Sequence, residues 1–374
     1  MDKRTFLKKL NSVGFGLAMA ATLPNEILAK IKTTNTKNWM WARPNERFTT
    51  ETWKEKLSTA KASGIDAVLV EVYNGRNAFF ETDRFPVKEK LLEKLAPICK
   101  EIGMELHAWM WTMICTNETI RKKHPDWYAV NGLEESTVDN PAYVDYYRFM
   151  CPNHPEVREF VQANVRSLAK FDFLDGVHLD YVRLPDVILA EALQPKYDIV
   201  QDKEYPQYDY CYSTHCREAF KAQTGIDPLK DLKEPSANDA WRKFRYNSIS
   251  SLVNEMLVPE AKKTNKMITA AVFPNWESVR QEWHTWQLDA FLPMLYHNFY
   301  NEDLKWVKKV TAERKKAVSN NQPIYSGLFV PALKSEEFAK AYKMSLKGGA
   351  SGISLFDLGS IKDEYWSILK EIMG

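Results

Sequence analysis

The residues best equipped for chemistry lie in one short stretch, FLDGVHLDYVRLP, residues 173–185. Val177 and Leu179 suit a core, yet His178 and Asp180 occupy the alternating positions, and Tyr181, Arg183 and Pro185 follow. Successive side chains of a strand face opposite sides, so His178 and Asp180 share one face. A carboxylate on a buried face costs too much to be common without a partner or a purpose. A histidine there is often satisfied by neighbouring polar groups. Asp180, two residues further on at the strand's end, has no such ordinary reason to be present.

The segments that must position these groups repeat along the chain. Apolar, β-branched or aromatic runs occur at residues 38–43, 66–73, 105–111, 175–182, 267–273, 290–297, 323–330 and 352–358, with longer helical patterns between several of them. Gly64, Gly103 and Gly349 stand just before the next run, as helix stop signals do. This alternation predicts an α/β fold, a (β/α)8 TIM barrel formed as a single domain by residues 31–374, with long loops after strands 3 (112–153) and 4 (184–239). A doubly wound open sheet would want a Gly-rich turn after the first strand, and NWMWAR is not followed by one. The second long loop carries Tyr197, Tyr205, Tyr208, Tyr210 and Tyr212, suited to a lid or cleft wall.

In a barrel, the loops and strand ends on the C-terminal face carry the chemistry. The inward parity gives Glu71 and Tyr73 on strand 2, His107, Trp109 and Trp111 on strand 3, and His178 and Asp180 on strand 4. Asn275, Trp276 and Glu277 follow strand 5, Tyr296 ends strand 6 and Asp357 ends strand 8. Two inward carboxylates between aromatic walls suit glycoside hydrolysis, in which one acid protonates the leaving oxygen and the other attacks or orients water. The reading takes Asp180 as one catalytic carboxylate and Glu277, Glu71 or Asp357 as the second, with position alone favouring Glu277. His107, His178, Asn275, Tyr296 and Arg183 are candidates for binding sugar hydroxyls, and Trp111, Trp276 and Tyr73 for subsite walls. Each has a plainer reading. Glu71 pairs with Arg43 or Arg183, Glu277 complements a helix dipole, Asp357 caps the last helix, and the two histidines are core residues.

Bulk properties narrow the partners. A formal net charge of +2 without a basic cluster beyond the first residues gives no reason to expect nucleic acid. The 12 Trp, 17 Tyr and 18 Phe exceed what a core of this size needs; most are packing residues, but exposed Trp and Tyr suit flat apolar ligand faces, and with the paired carboxylates the expected partner is an oligo- or polysaccharide substrate. Residues 1–30 pair a basic start with a weakly apolar run at 13–23, too short for a stable membrane span, and read as an export signal for a periplasmic or extracellular protein. No cofactor is implied. Of five cysteines, Cys211 and Cys216 are close in sequence, with His215 between them, and read as a loop disulfide or two free thiols more readily than as a zinc motif. Two rival functions are a non-catalytic carbohydrate-binding barrel and, ranked below it, a hydrolase with a metal at His107, His178, Asp180 and Asp357.

HPDWYAV, CPNHPEVREFV, FLDGVHLDYVRLP and the Pro-x-x-Tyr strand at Pro293 and Tyr296 together resemble the glycosyl hydrolase-like family 10 proteins, exported bacterial barrels distantly related to the alpha-amylase superfamily. The resemblance extends through ASGIDAVLVEVYNGRNAFF and MELHAWMW. It implies a barrel fold, export and a glycan substrate of cell-wall, plant or algal origin. In the superfamily pattern Asp-Gly-x-Arg-x-Asp the last Asp is the nucleophile, a role that falls on Asp180. Here His178 replaces the Arg, no Glu stands at the end of strand 5 before Glu277, and Tyr181 stands where some members have a second Asp.

Overall fold

A computed structural model describes residues 36–373; the expected export signal, residues 1–30, lies outside them. Eight strands run parallel: β1 (Trp39–Ala42), β2 (Ala67–Tyr73), β3 (Glu105–Trp111), β4 (Gly176–Asp180), β5 (Met267–Val272), β6 (Ala290–Pro293), β7 (Ser326–Phe329) and β8 (Ile353–Phe356). Their order is β6-β5-β4-β3-β2-β1-β8-β7, and bridges Phe291–Ile324 and Met294–Gly327 close the barrel between β6 and β7. The helices are α1 (Thr50–Ala62), α2 (Leu91–Ile102), α3 (Glu118–Lys123), α4 (Pro155–Ala169), α5 (Thr214–Thr224), α6 (Asp239–Ser251), α7 (Val258–Lys262), α8 (Leu304–Ala317), α9 (Ser335–Lys347) and α10 (Asp363–Met373). All eight expected strands form, as does the (β/α)8 TIM barrel. One crossover departs from the expected pattern. Residues 273–289, between β5 and β6, hold two single-turn helices, Trp276–Val279 and Trp283–Thr285, in place of an α-helix, and the fully buried Trp283 and Trp286 belong to the core on the helix side of the strands.

Strand alternation builds two cores. Met40, Val68, Val70, Leu106, Val177, Leu179, Ile268 and Leu355 face the helices. Trp39, Trp41, Leu69, Trp109, Leu292 and Tyr325 fill the lumen, with Ala67, Ala271 and Ala290 interleaved as small partners. Large beside small is what lets these four indole and phenol rings interdigitate at solid-like density. Gly176, opening β4, belongs to the same scheme: a Cβ there would lie 2.5 Å from the Met267 carbonyl oxygen and 2.6 Å from His107 Nδ1.

The two long loops pack on each other. Tyr143 of the first stacks on Tyr208 of the second with ring centroids 4.7 Å apart. Beneath them Asp209 is buried between the Arg245 guanidinium of α6, the Arg280 guanidinium at 3.0 Å and the Tyr212 hydroxyl at 2.5 Å. Burial works against its charge, but Arg245 and Arg280 hold the carboxyl below its usual range. Its contribution to stability is therefore present above the unfolded-chain pKa of about 4 and lost as pH falls through the lower folded value.

Two outcomes are expected in urea unfolding. Asp209→Asn leaves the buried Arg245 guanidinium without a carboxylate and Arg280 with Glu204 alone, and lowers stability by about 3–5 kcal/mol. Gly176→Ala overpacks the lumen and costs about 1–3 kcal/mol. Unchanged midpoints and slopes would contradict both.

Candidate active site

The mouth of the barrel is organised around β3. Glu71 of β2 is in register with Trp109, and Asp180 of β4 is in register with Trp111. The hydrogen bonds cross that register. The Trp109 indole N–H donates to Asp180 Oδ2 at 3.0 Å, and the Trp111 indole N–H donates to Glu71 Oε2 at 3.2 Å. Two carboxylates on either side of one strand are thus held by two donors from that strand.

Both acids resist ionisation. Burial pushes the Glu71 carboxyl up to about 7; the nearby Asp180 and Asp357 charges add to the rise, while Trp111 and Arg43 oppose it. Asp180 is partly buried, and the protein packed around it raises its carboxyl to about 6 against the Tyr181 N–H, Arg183 and Trp109. Asp180 Oδ1 accepts the Tyr181 backbone N–H at 2.7 Å. That bond accompanies a left-handed backbone at Tyr181, φ +49°, a conformation a bulky residue adopts only when its surroundings impose it. The turn brings the Tyr181 ring to 4.8 Å from Trp111, and Tyr146, 41% exposed, lies 5.6 Å from Trp111 on another side.

Asp357 also reaches this end, but it is committed. Arg43 Nε donates to its Oδ2 at 2.5 Å and the Ser360 hydroxyl to its Oδ1 at 2.8 Å. A cleft of about 560 Å³ opens over Glu71, Asp357, Arg43, Asn74, Lys88 and Leu358. Asp180 is not among its walls. Tyr296 is buried, and the Asp180 and Asp357 charges reinforce burial in pushing its phenol well above the usual range, so it faces the same group.

Other candidates sit elsewhere, for identifiable reasons. A β-bulge shifts the β2–β3 register between Glu71 and Tyr73, so Tyr73 pairs with Met110 and turns outward, stacking on Phe85 at 4.3 Å. It is not a subsite wall. His107 lies deep in the lumen, fully buried beside Trp39, with Nε2 3.0 Å from Glu105 at the opposite end of β3. His178 is fully buried one layer below Asp180. Trp41 donates to its Nε2 at 3.1 Å, so its Nδ1 carries the proton and donates to Thr269 Oγ1 at 2.8 Å. Burial keeps this ring neutral, its pKa well below the usual value. Both histidines are core residues with no route to substrate.

Arg183 is buried too. It donates to the Leu184 carbonyl at 2.8 Å and Asp186 at 3.0 Å, with Phe273 4.5 Å from its guanidinium carbon, and it pins the loop that leaves β4. Trp276 leans on Tyr246 of α6 at 5.0 Å and on His284 at 5.1 Å, on the outer side of the barrel. Glu277 is exposed, and the charges it influences are those of Glu282 and His284, whereas Asp180 responds to Arg183. Position after strand 5 therefore misled: the single-turn helix Trp276–Val279 carries Glu277 away from the mouth. Asn275 is exposed and borders a separate small cavity beside Asp186 and Tyr300. Arg43, Tyr146 and Tyr181 are the mouth residues the sequence reading did not assign; Arg43, directly after the first strand, was legible by the rule that exposed Glu71.

The profile described as Glycosyl hydrolase-like 10 matches residues 30–329. The chain belongs to this family. Among solved structures, the glycosyl hydrolase-like 10 barrel is similar to the PgaB (BpsB) glycoside hydrolase domain from Bordetella bronchiseptica, at 12% identity and TM-score 0.69, covering 91% of this chain and 99% of that one. It is also similar to the catalytic domain of beta-amylase from Paenibacillus polymyxa (12%, TM-score 0.64, 91% and 98%) and to beta-galactosidase from Marinomonas ef1 (11%, TM-score 0.61, 90% and 59%). At these identities the likeness is one of fold. No curated protein sequence matches the chain.

The crossed indole bonds predict a titration. Each indole donor favours the ionised acid, so Trp111→Phe should raise the Glu71 pKa above about 7 and Trp109→Phe that of Asp180 above about 6. Carboxyl-carbon NMR titration of the two variants checks this; if each variant moved the other acid more than its own, the crossed pattern would be wrong.

Proposed function

We propose that this protein is a glycoside hydrolase that cleaves O-glycosidic bonds of a polysaccharide or cell-wall glycan, with Asp180 and Glu71 as its two carboxylates. One observation carries the reading: both acids sit at the barrel mouth, tied to adjacent inward tryptophans of β3, and both have raised pKa values that differ from each other. Asp357 is instead held in an ion pair with Arg43. Between about pH 6 and 7 Asp180 is ionised while Glu71 keeps its proton. Glu71 then protonates the leaving glycosidic oxygen, and Asp180 attacks the anomeric carbon or orients the water that does so. Trp111, Tyr146 and Tyr181, tilted or edge-on to one another, offer aromatic faces for sugar rings, and Tyr296 a phenol near the carboxylates. Family membership supports the reading, as do the glycoside hydrolase, amylase and galactosidase activities named for the neighbours. The same reading has the protein exported to the periplasm or beyond, where such glycans are met.

The test begins with purified protein and a panel of polysaccharides and peptidoglycan, scored by release of reducing ends. On the substrate found, Asp180→Asn and Glu71→Gln should each lower kcat/KM by roughly a hundred- to ten-thousand-fold, while Glu277→Gln leaves it unchanged. The pH profile should be bell-shaped with apparent limbs near 6 and 7, properties of the coupled pair. Full activity in either of the first two variants would remove that residue from the mechanism. Calorimetric binding of a glycan without hydrolysis would favour a carbohydrate-binding barrel instead.

A further inference from the structure

Cys151, Cys211 and Cys216 come together away from the carboxylates, although 60 residues of chain separate the first from the second. Their sulfurs all lie within 4.8 Å of one another, and all three residues are completely buried. Cys151 closes the long loop after β3, Cys211 lies just before α5, and Cys216 is in the first turn of that helix, which Ser213 caps. Cys151 Sγ and Cys216 Sγ are 3.6 Å apart. A disulfide needs about 2.05 Å. Four ligands at a Zn–S distance of about 2.3 Å on tetrahedral corners place sulfurs roughly 3.8 Å from each other. The spacing matches the second pattern.

From this we infer that the three cysteines form a structural zinc site. Two neighbours favour negative charge on the sulfurs. The Asn153 side-chain amide donates to Cys216 Sγ at 3.1 Å, and the start of the eleven-residue α5 contributes a field that favours negative charge. Three thiolates with Zn²⁺ carry a net charge of −1, less than a monovalent metal would leave buried. The Ser213 hydroxyl, 3.0 Å from Cys151 Sγ, supplies an oxygen beside the fourth position. No pairing of three thiols into disulfides satisfies them all, whereas one thiophilic d10 cation does. The site joins the two long loops that wall the barrel mouth. Its signal was hidden in the sequence because Cys151, far from the Cys211–Cys216 pair, supplies the third ligand.

Elemental analysis of the purified full chain, with an unreduced peptide map alongside, tests the proposal. About one zinc per chain is expected. Chelation should lower the thermal midpoint, added Zn²⁺ should restore it, and Co²⁺ put in its place should show thiolate-to-cobalt charge-transfer absorption. Cys151→Ser and Cys216→Ser should each reduce bound zinc toward zero. Should those variants fail to fold, thiol alkylation of the wild-type chain serves equally: with zinc bound, Cys151, Cys211 and Cys216 should react far more slowly than after chelation. A disulfide linking any two of the three, copper in place of zinc, or three free thiols without zinc after incubation with excess Zn²⁺ would each overturn it.

Discussion

The burial of two carboxylic acids at the end of a barrel lined with indole rings sets the terms for the rest of the molecule. In water a carboxylate is solvated from every side; at this mouth Glu71 and Asp180 each receive one tryptophan N–H, Asp180 with a backbone N–H besides. So few donors leave the neutral acid competitive near neutral pH, which is the state a proton-transferring group requires. The same donors fix where the oxygen atoms point. Asp357, by contrast, is ordered by its ion pair with Arg43.

Everything below the mouth serves to hold β3 between its two neighbours. Trp39, Trp41 and Trp109 fill the lumen because Ala67, Ala271, Ala290 and Gly176 leave room for them, and His178 is locked by Trp41 and Thr269 into one tautomer directly beneath Asp180. A neutral, doubly bonded imidazole at that depth works as a strut. The long loops, knitted by Tyr143 on Tyr208 and by the buried Asp209 network, keep the aromatic rings of the mouth in place from outside.

Strand alternation made the barrel legible, since each strand places apolar residues against the helices whatever the loops do. The same alternation pointed to Glu71, Asp180, Trp111 and Tyr296 at the mouth. It failed where backbone geometry breaks the period. The bulge after Glu71 reverses Tyr73, and the short helical turn after β5 swings Trp276 and Glu277 to the outer side. Parity also carries no information about depth, so His107 and His178 shared a face with the site without reaching it. The commitment of Asp357 to Arg43 joins the two ends of the chain, a contact that no local pattern encodes.

Tyr181 is the residue at which structure and kinship bear on each other. Its left-handed backbone costs about 1–3 kcal/mol in a residue of its size, and Asp, the residue some relatives carry after the strand's aspartate, adopts that conformation far more readily. An Asp here would relax the turn and bring a further acid beside Asp180. The tyrosine keeps the turn under tension and presents a ring to Trp111 and Tyr146 instead. The residue at this one position therefore sets whether the bend adds an acid or an aromatic ring to the mouth.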